Sequence, residues 1–262
     1  MQTIKPPAVA GIFYPADPER LHQDIQHFLT SAVSKQITRP KALIAPHAGY
    51  IYSGPIAGSA YASLGEATAD ITRVVMLAPA HRVAFRGIAY SSATHFATPL
   101  GVIPVDLAAL SQVTDLPGVV KNVVAFEEEH SLEVHLPFLQ EVLSQFSIVP
   151  LLVGEASAEQ VASILEKLWG GTETLIIISS DLSHYLDYLS AQKMDQNTTR
   201  AIESLQPHAL TYHSACGRIP VSALLLSARN HNLQATTLDL RNSGDTAGSR
   251  DRVVGYGAYV FS

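Results

Sequence analysis

Residues 175–185 read LIIISSDLSHY, an unbroken apolar run followed by a short polar turn. Two further stretches repeat this pattern, ALIAPHAGY at 42–50 and VVMLAPAH at 74–81. Runs of this kind, about 6–8 residues long, are typical of strands that are covered on both faces. A histidine stands shortly after each run: His184, His47 and His81. Because the carboxyl ends of parallel strands meet at one edge of a sheet, the pattern predicts an α/β fold with a polar site there.

The composition favours one domain spanning residues 1–262. The chain is 47% hydrophobic and only 15% charged, so it can bury a sizeable core. Its formal net charge is −6 and its basic residues are scattered, which argues against a nucleic-acid partner. No apolar stretch approaches the roughly 20 residues of a membrane-spanning helix, and the N-terminus lacks the apolar core of a signal peptide. We therefore expect a cytoplasmic protein with no membrane partner.

Periodicity and turn signals predict the order of the secondary-structure elements. Helical patterns mark six segments: about 18–33, 54–64, from Asp106, 156–169, 190–205 and 218–231. Strand-like runs fall at 41–45, 72–78, 146–154, 174–180, 235–241 and 253–261. Two short β-like runs within 87–105 predict an antiparallel pair inserted at the sheet edge. Two strand–helix–strand units predict a three-layer α/β sandwich with a mixed, largely parallel central sheet.

Two histidines at the ends of neighbouring strands are candidates for one metal site. Neutral imidazole is the commonest protein metal ligand, so His47 and His81 fit this role, although a single strand-end histidine is more often structural. The candidate third ligand is Cys216, the only cysteine of the chain, at the expected entrance to a helix. The helix N-terminus and nearby Arg218 predict a lowered thiol pKa. The alternative is that Cys216 is a small buried hydrophobic residue.

Residues 126–139, FEEEHSLEVHLPFL, concentrate glutamates and histidines. His130 and His135 are five positions apart and diverge by about 140° on a helix, so they do not form the paired-histidine helix of a zinc protease. His130 and Glu133 share a helix face and are candidates for a proton-transfer histidine and the carboxylate that orients it. The alternative is an acidic helix start whose side chains face solvent.

The polar turn of residues 175–185 offers a carboxylate and an imidazole close together in sequence. Asp181 and His184 fit general acid/base partners or outer metal ligands, while Asp181 also fits a helix or turn cap. The chain contains no G-x-x-x-x-G-K-[ST] loop, no G-x-G-x-x-G after the first strand and no G-x-S-x-G elbow. Nucleotide binding and serine hydrolysis at the sheet edge therefore have no support, and the enzyme interpretation that remains is a metal-centred one.

Six motifs resemble the Memo family and span nearly the whole chain. They are AGIFYPAD at 10–17, IAPHAGYIYSG at 44–54, LAPAH at 77–81, EEEHSLEVHLPFL at 127–139, SSDLSHY at 179–185 and CGRIPV at 216–221. The resemblance implies a fold similar to that of the class III extradiol dioxygenases, which bind non-haem Fe(II) at the edge of an α/β sheet. It also implies that the metal ligands are His47, His81 and Cys216. Other polar residues of the same pocket match the family at His130, Asp181 and His184.

The resemblance implies a metal-dependent redox enzyme, oxidase- or dioxygenase-like, acting on a small molecule or a peptide. The dioxygenases use a carboxylate as third ligand, whereas a thiolate at Cys216 changes the metal preference and the redox behaviour. We expect Fe(II) or copper, ahead of zinc. The catalytic candidates are His184, His130 and Asp181, with one of the two histidines moving protons. Prokaryotic members of the family imply two partners, an AMMECR1-like protein and a radical SAM protein.

Two other functions compete with a redox enzyme. A non-catalytic module would use the same pocket to recognise a peptide or a partner protein, and its binding would survive a chelator. A metal-dependent hydrolase would instead act through a Zn²⁺-activated water. The sequence alone leaves these alternatives open.

Overall fold

The computed structural model describes residues 2–32, 37 and 39–262. Its strands are β1 (Ile4–Lys5), β2 (Ala42–Ala45), β3 (Arg73–Pro79), β4 (Ile88–Tyr90), β5 (His95–Thr98), β6 (Gly101–Pro104), β7 (Val119–Lys121), β8 (Ser147–Val153), β9 (Thr174–Ser179), β10 (His184–Leu186), β11 (Ala235–Asn242) and β12 (Val253–Phe261). Its α-helices are α1 (Pro18–Thr30), α2 (Tyr50–Ala62), α3 (Leu107–Ser111), α4 (Val124–Glu127), α5 (Leu136–Val142), α6 (Ala158–Leu168), α7 (Tyr188–Glu203) and α8 (Arg218–Asn230). Short 3₁₀ turns lie at Gly65–Ala69, Glu133–His135, Pro207–Ala209 and Ser243–Asp245.

Within these residues, nine strands form the central sheet, in the order β10-β12-β2-β9-β3-β8-β4-β7 with β11 paired to β12. The four strands β2, β9, β3 and β8 are parallel to one another. The sheet becomes antiparallel on both sides of them, where β12 pairs with β2 and β4 pairs with β8. The sheet is therefore mixed and parallel at its centre, as the sequence predicts.

Helices cover the parallel strands on both faces. Helix α2 packs on β2 and β12, and α8 packs on β3 and β9. The outer helices then pack on these two, α1 and α5 on α2 and α6 on α8. Every residue of β2 and β9 is buried, which explains why their sequences are continuously apolar and do not alternate. The three-layer α/β sandwich is confirmed. None of the described helices is long and apolar enough to cross a membrane.

Prolines end two central strands where the sequence predicts. Pro46 directly follows β2, and Pro79 is the last residue of β3. Proline has no N–H to donate to the sheet, and it disfavours a helical conformation in the residue before it. The turns that carry His47 and His81 therefore leave the sheet at the same edge.

The predicted antiparallel pair within residues 87–105 is present, but it does not lie at the edge of the central sheet. Strands β5 and β6 pair antiparallel and join β1 in a separate three-stranded sheet. The N-terminal segment supplies this third strand, since Ile4 pairs with His95 in parallel. Within the same stretch, β4 does join the central sheet, antiparallel to β8, and β7 is the outermost strand on that side.

Two helix boundaries differ from the sequence prediction by three residues or more. Helix α2 begins at Tyr50, four residues before the expected start at Gly54, and it contains Pro55. The earlier start is stabilised because the Tyr50 N–H, which has no acceptor within the helix, donates to the Phe13 carbonyl at 2.7 Å. Helix α1 ends at Thr30, not near residue 33, a position outside the described residues.

Candidate metal centre

Side chains from three parts of the chain meet at the carboxyl edge of the central sheet. His47 follows β2, His81 follows β3, and Cys216 lies two residues before α8. Their candidate ligand atoms, one nitrogen from each imidazole and the sulfur of Cys216, all lie within 4.8 Å of one another. The two imidazole rings are 5.1 Å apart at their centroids. Nitrogen and sulfur donors at this spacing can hold a single metal ion.

His47 is oriented by hydrogen bonds behind its ring. Its Nδ1 lies 2.6 Å from Ser179 Oγ, and the Ser179 hydroxyl donates to the Ser131 carbonyl at 2.6 Å. Because that hydroxyl proton is already used, Ser179 accepts from the His47 Nδ1–H. The lone pair is therefore on Nε2, which faces Cys216 Sγ at 3.3 Å. Burial, reinforced by neighbouring histidines, lowers the pKa of His47 well below its usual range, so the ring is neutral.

His81 is oriented by Glu129, a residue that sequence reasoning does not single out. Glu129 Oε1 accepts from His81 Nδ1 at 3.1 Å, and its other oxygen accepts from the His81 backbone N–H. Burial acts to raise the pKa of Glu129, but hydrogen bonds from His81 and from the Ser131 N–H lower it to about 2. The carboxylate only accepts, so the His81 proton is on Nδ1 and Nε2 is the ligand atom. Carboxylates orient histidine ligands in this way in metal sites.

Cys216 is held against the end of β9 by its backbone. Its N–H donates to the Asp181 carbonyl at 3.2 Å, and its sulfur accepts from the Asp181 N–H at 3.2 Å. A Cβ atom on Gly217 would lie 2.6 Å from the Ser179 carbonyl oxygen, so this close approach requires glycine.

The predicted lowering of the Cys216 pKa is wrong. Burial, followed by the negative charge of Asp181, raises the pKa of the thiol to about 12. The start of α8 and the nearby Arg218 do not offset this penalty. A metal ion would therefore displace the thiol proton when it binds.

The acidic segment 126–139 does not form one regular helix. Helix α4 ends at Glu127, and an irregular turn separates it from the 3₁₀ turn at Glu133–His135. The shared helix face expected for His130 and Glu133 is therefore absent, and both sequence interpretations of Glu133 are wrong. Its buried carboxylate instead anchors the N-terminal segment, through the N–H groups of Ala8 and Val9, the Tyr14 hydroxyl and the Lys5 ammonium.

His130 enters the site through that irregular turn. Its ring stacks on the ring of His81 at 5.0 Å and lies 5.5 Å from that of His47. Within the described residues its Nδ1 is buried without a hydrogen bond, although it lies 3.3 Å from Glu129 Oε1. Burial lowers the pKa of His130 to about 4, so this ring is neutral as well. His81, Glu129 and His130 form a second set of ligand atoms within 4.8 Å of one another.

Asp181 and His184 have separate partners. The buried Asp181 accepts from the His47 N–H at 2.8 Å, so it holds the His47 backbone and does not cap a helix. Its other oxygen lies 4.0 Å from His47 Nε2, and burial raises the pKa of Asp181 to about 6 despite the hydrogen bond from His47. His184 Nδ1 donates to the Leu182 carbonyl at 2.8 Å, since a carbonyl can only accept. In the neutral ring, His184 Nε2 is then available to accept a proton.

A cavity of about 850 Å³ opens beside the candidate ligands. His81 and Cys216 form part of its wall, and His184 lines it as well. His47 is only 2% exposed and lies behind this wall. Small-molecule sites have volumes of about 300–1,000 Å³. The cavity therefore gives a small molecule access to the side of the site formed by His81 and Cys216.

The pattern of the Memo-like protein family matches residues 5–260, a range that includes every candidate site residue. The chain belongs to the Memo family. A MEMO1 family protein of Aquifex aeolicus is 35% identical, over 98% of this chain and 99% of the relative. A MEMO1 family protein of Archaeoglobus fulgidus is 32% identical over 98% of this chain and 99% of the relative. One of Thermotoga maritima is 34% identical, over 95% and 96% respectively.

A solved structure supports the fold. The crystal structure of an uncharacterized protein from Escherichia coli K12 superimposes with a TM-score of 0.53, covering 83% of this Memo family chain and 99% of that chain. The two sequences are 13% identical, so the likeness concerns the fold alone.

Proposed function

We propose that this Memo family protein is a metal-dependent redox enzyme, oxidase- or dioxygenase-like, whose metal ligands are His47, His81 and Cys216. The observation that carries the proposal is the convergence of two imidazole nitrogens and one sulfur within 4.8 Å, beside a cavity of about 850 Å³. Catalytic metal sites typically have three protein ligands and keep a further position open. The cavity side of this site is suited to such an open position.

The chemistry of the donor atoms fits a metal ion. Both histidines present an Nε2 lone pair, because their Nδ1 protons go to Ser179 and Glu129. The Cys216 sulfur would bind as a soft thiolate. We place copper and Fe(II) ahead of zinc, copper because of the soft sulfur and iron because of the dioxygenase-like fold that the family resemblance implies. When bound, the ion would supply a redox couple and an open position for dioxygen or substrate.

Three neighbouring side chains are suited to moving or holding protons. His184 lines the cavity with Nε2 available, so it is our candidate general base. His130 is neutral and stacks on His81, which makes it the second candidate. Asp181 holds the His47 backbone and, with its pKa raised to about 6, is a candidate outer acid or base.

Anaerobic reconstitution with Fe(II), Cu(I) or Zn²⁺, followed by metal analysis, tests the ligand set. We expect the wild type to retain about one iron or copper ion per chain and Cys216→Ala to retain none. His213→Ala removes a cavity-lining imidazole that belongs to neither donor set and should retain the wild-type metal content. Equal metal content in Cys216→Ala and the wild type would remove Cys216 from the site.

Exposure of the reconstituted protein to dioxygen tests the redox assignment. We expect the iron or copper protein to change its absorption spectrum on oxidation, because a thiolate ligand gives charge-transfer bands, and Cys216→Ala to lack them. A protein that retains only Zn²⁺ and hydrolyses esters or amides would favour the hydrolase instead. Partner binding that a chelator leaves intact, with no redox change, would favour the non-catalytic module.

A further inference from the structure

The cavity beside the candidate metal centre contains an arginine that forms no ion pair with any residue that the structure describes. Arg218 lines the cavity, two residues after Cys216 and at the first position of α8. In the described part of the chain, the ion pairs formed by arginine belong to Arg73, Arg86 and Arg241. The guanidinium of Arg218 lies over the ring of Tyr212, 5.8 Å from its centroid. No carboxylate of the described residues therefore offsets the positive charge of Arg218 within ion-pair distance.

Apart from the histidines, the charged side chains that line the cavity carry a net positive charge. The second arginine in the wall, Arg86, pairs with Glu155 at 3.3 Å, and both side chains are largely exposed at the rim. Their charges cancel, whereas that of Arg218 does not. A cleft lined by one sign of charge concentrates ligands of the opposite sign, even on a protein whose net charge is −6.

We propose that the cavity binds a small organic anion whose charged group pairs with Arg218 and whose apolar body extends toward His81 and Cys216. This inference rests on the proposed function, because it names the substrate class of the same site. The wall of the cavity is largely apolar, with contributions from Val83, Phe85, Val153 and Ile219. A body without charge is what such a surface accommodates.

The geometry of Arg218 suits recognition of a carboxylate or a phosphoryl group. Guanidinium binds both through two parallel N–H···O bonds in its own plane. The Tyr212 ring, whose centroid is 5.8 Å from the guanidinium carbon, attracts the cation without taking up its N–H groups. Since Arg218, His81 and Cys216 line the same cavity, an anion held at Arg218 shares that cavity with two of the candidate metal ligands.

Binding of three small probes to chelator-treated protein, measured by calorimetry or ligand-observed NMR, tests the proposal. The probes are phenylacetate, its neutral isostere phenylacetamide, and phenylphosphonate. We expect the wild type to bind the preferred anion at least about tenfold more tightly than the amide, the value of one hydrogen-bonded charge pair. Arg218→Gln should lose this preference. Arg86→Gln is the matched control, since it removes a cavity arginine already paired with Glu155, and it should keep the preference.

Equal binding of anion and amide by the wild type would overturn the proposal, as would a preference that persists in Arg218→Gln. Tighter binding of phenylphosphonate than of phenylacetate would identify a phosphoryl group as the ligand, and the reverse a carboxylate. If circular dichroism shows that Arg218→Gln does not fold, Arg218→Lys retains the charge without the planar fork and should show a reduced preference. These binding measurements use metal-free protein, so they are independent of the metal analysis. Failure of the anion-binding test would not affect the proposed metal ligands, and failure of the metal test would not affect the anion site.

Discussion

The two ends of the central parallel strands use buried polar groups in opposite ways. At the amino end, the Lys41 ammonium, which precedes β2, places its three N–H donors on backbone carbonyls. These belong to Trp169, Gly171 and Thr174. At the carboxyl end, Ser179 and Glu129 accept from Nδ1 of His47 and of His81, and Nε2 of His47 faces the Cys216 sulfur, another candidate ligand atom, at 3.3 Å. The same strands therefore begin beside a lysine bonded to backbone carbonyls and end beside a cluster of candidate metal ligands.

This difference indicates that the polar groups at the amino end stabilise the fold and that those at the carboxyl end form the functional site. Fully paired buried groups fix the packing of a structure, whereas a cluster of buried groups with perturbed pKa values and unused lone pairs marks a functional site. At the carboxyl end burial lowers the pKa of His130 to about 4 and raises that of Cys216 to about 12. At the amino end burial lowers the pKa of Lys41 to about 8, and its three acceptors still favour the ammonium form.

The largest expected effect of the three substitutions below is at the amino end. Lys41→Met leaves three carbonyls without a donor and should lower the free energy of unfolding by about 3 kcal/mol at pH 7. Metal retention should not change, because the substitution lies at the opposite end of the strands. Urea unfolding and metal analysis of the same preparation measure both quantities. Lys167→Met, at an exposed position, is the control. Loss of metal with unchanged stability would reverse the assignment of the two ends.

Glu129→Gln disturbs the orientation of His81 at the carboxyl end without removing a candidate metal ligand. Glu129 accepts from both the ring and the backbone of His81, and from the N–H groups of His130 and Ser131. An amide has one accepting oxygen and a donating NH₂ group, so it cannot accept all of these bonds. We expect metal affinity to fall about 10–100-fold, as for other carboxylates that orient a ligand histidine.

Competition with a chromophoric chelator measures this affinity. Glu128→Gln is a matched control, because Glu128 is the exposed neighbour of the buried Glu129 in the same acidic run. Wild-type affinity in Glu129→Gln would show that His81 does not need the carboxylate for its orientation.

The parallel strands could be predicted from the sequence because burial on both faces demands continuous apolar runs. Strands β3 and β9 lie within one residue of the predicted bounds, and the turns after β2 and β3 bring His47 and His81 together. The position of the β5–β6 pair could not be predicted, because it depends on a partner strand about 90 residues earlier in the chain.

The carboxylate that orients His81 could not be chosen from the sequence. Three consecutive glutamates precede His130, and only the path of the irregular turn after α4 decides that Glu129, and not Glu133, reaches His81. The direction of the Cys216 pKa shift could not be predicted for a related reason. Proximity in sequence to a helix start and to Arg218 predicts a lowered pKa. The burial that raises the pKa exists only in the folded chain.

The buried carboxyl of Asp195, also at the carboxyl end of the sheet, affects the stability of the fold in a way that depends on pH. Its Oδ1 accepts from the Ser183 N–H at 3.0 Å, in the turn between β9 and β10 that also carries Asp181. Burial is the main cause that raises the pKa of Asp195 to about 6, although the hydrogen bond from Ser183 acts in the opposite direction. The carboxyl end therefore holds an acid that stays protonated to a higher pH than an exposed aspartate does.

Asp195→Asn should change the stability by an amount that depends on pH. An acid whose pKa is higher in the folded than in the unfolded chain adds stability below the unfolded pKa, and this contribution is lost as the pH rises through about 6. Between about pH 4 and pH 7, the wild type should therefore lose about 2 kcal/mol relative to Asp195→Asn. Urea unfolding at both pH values measures this difference, and Asp115→Asn, at an exposed position, should follow the wild type. Parallel pH profiles for the wild type and Asp195→Asn would mean that Asp195 ionises as readily in the folded chain as in water.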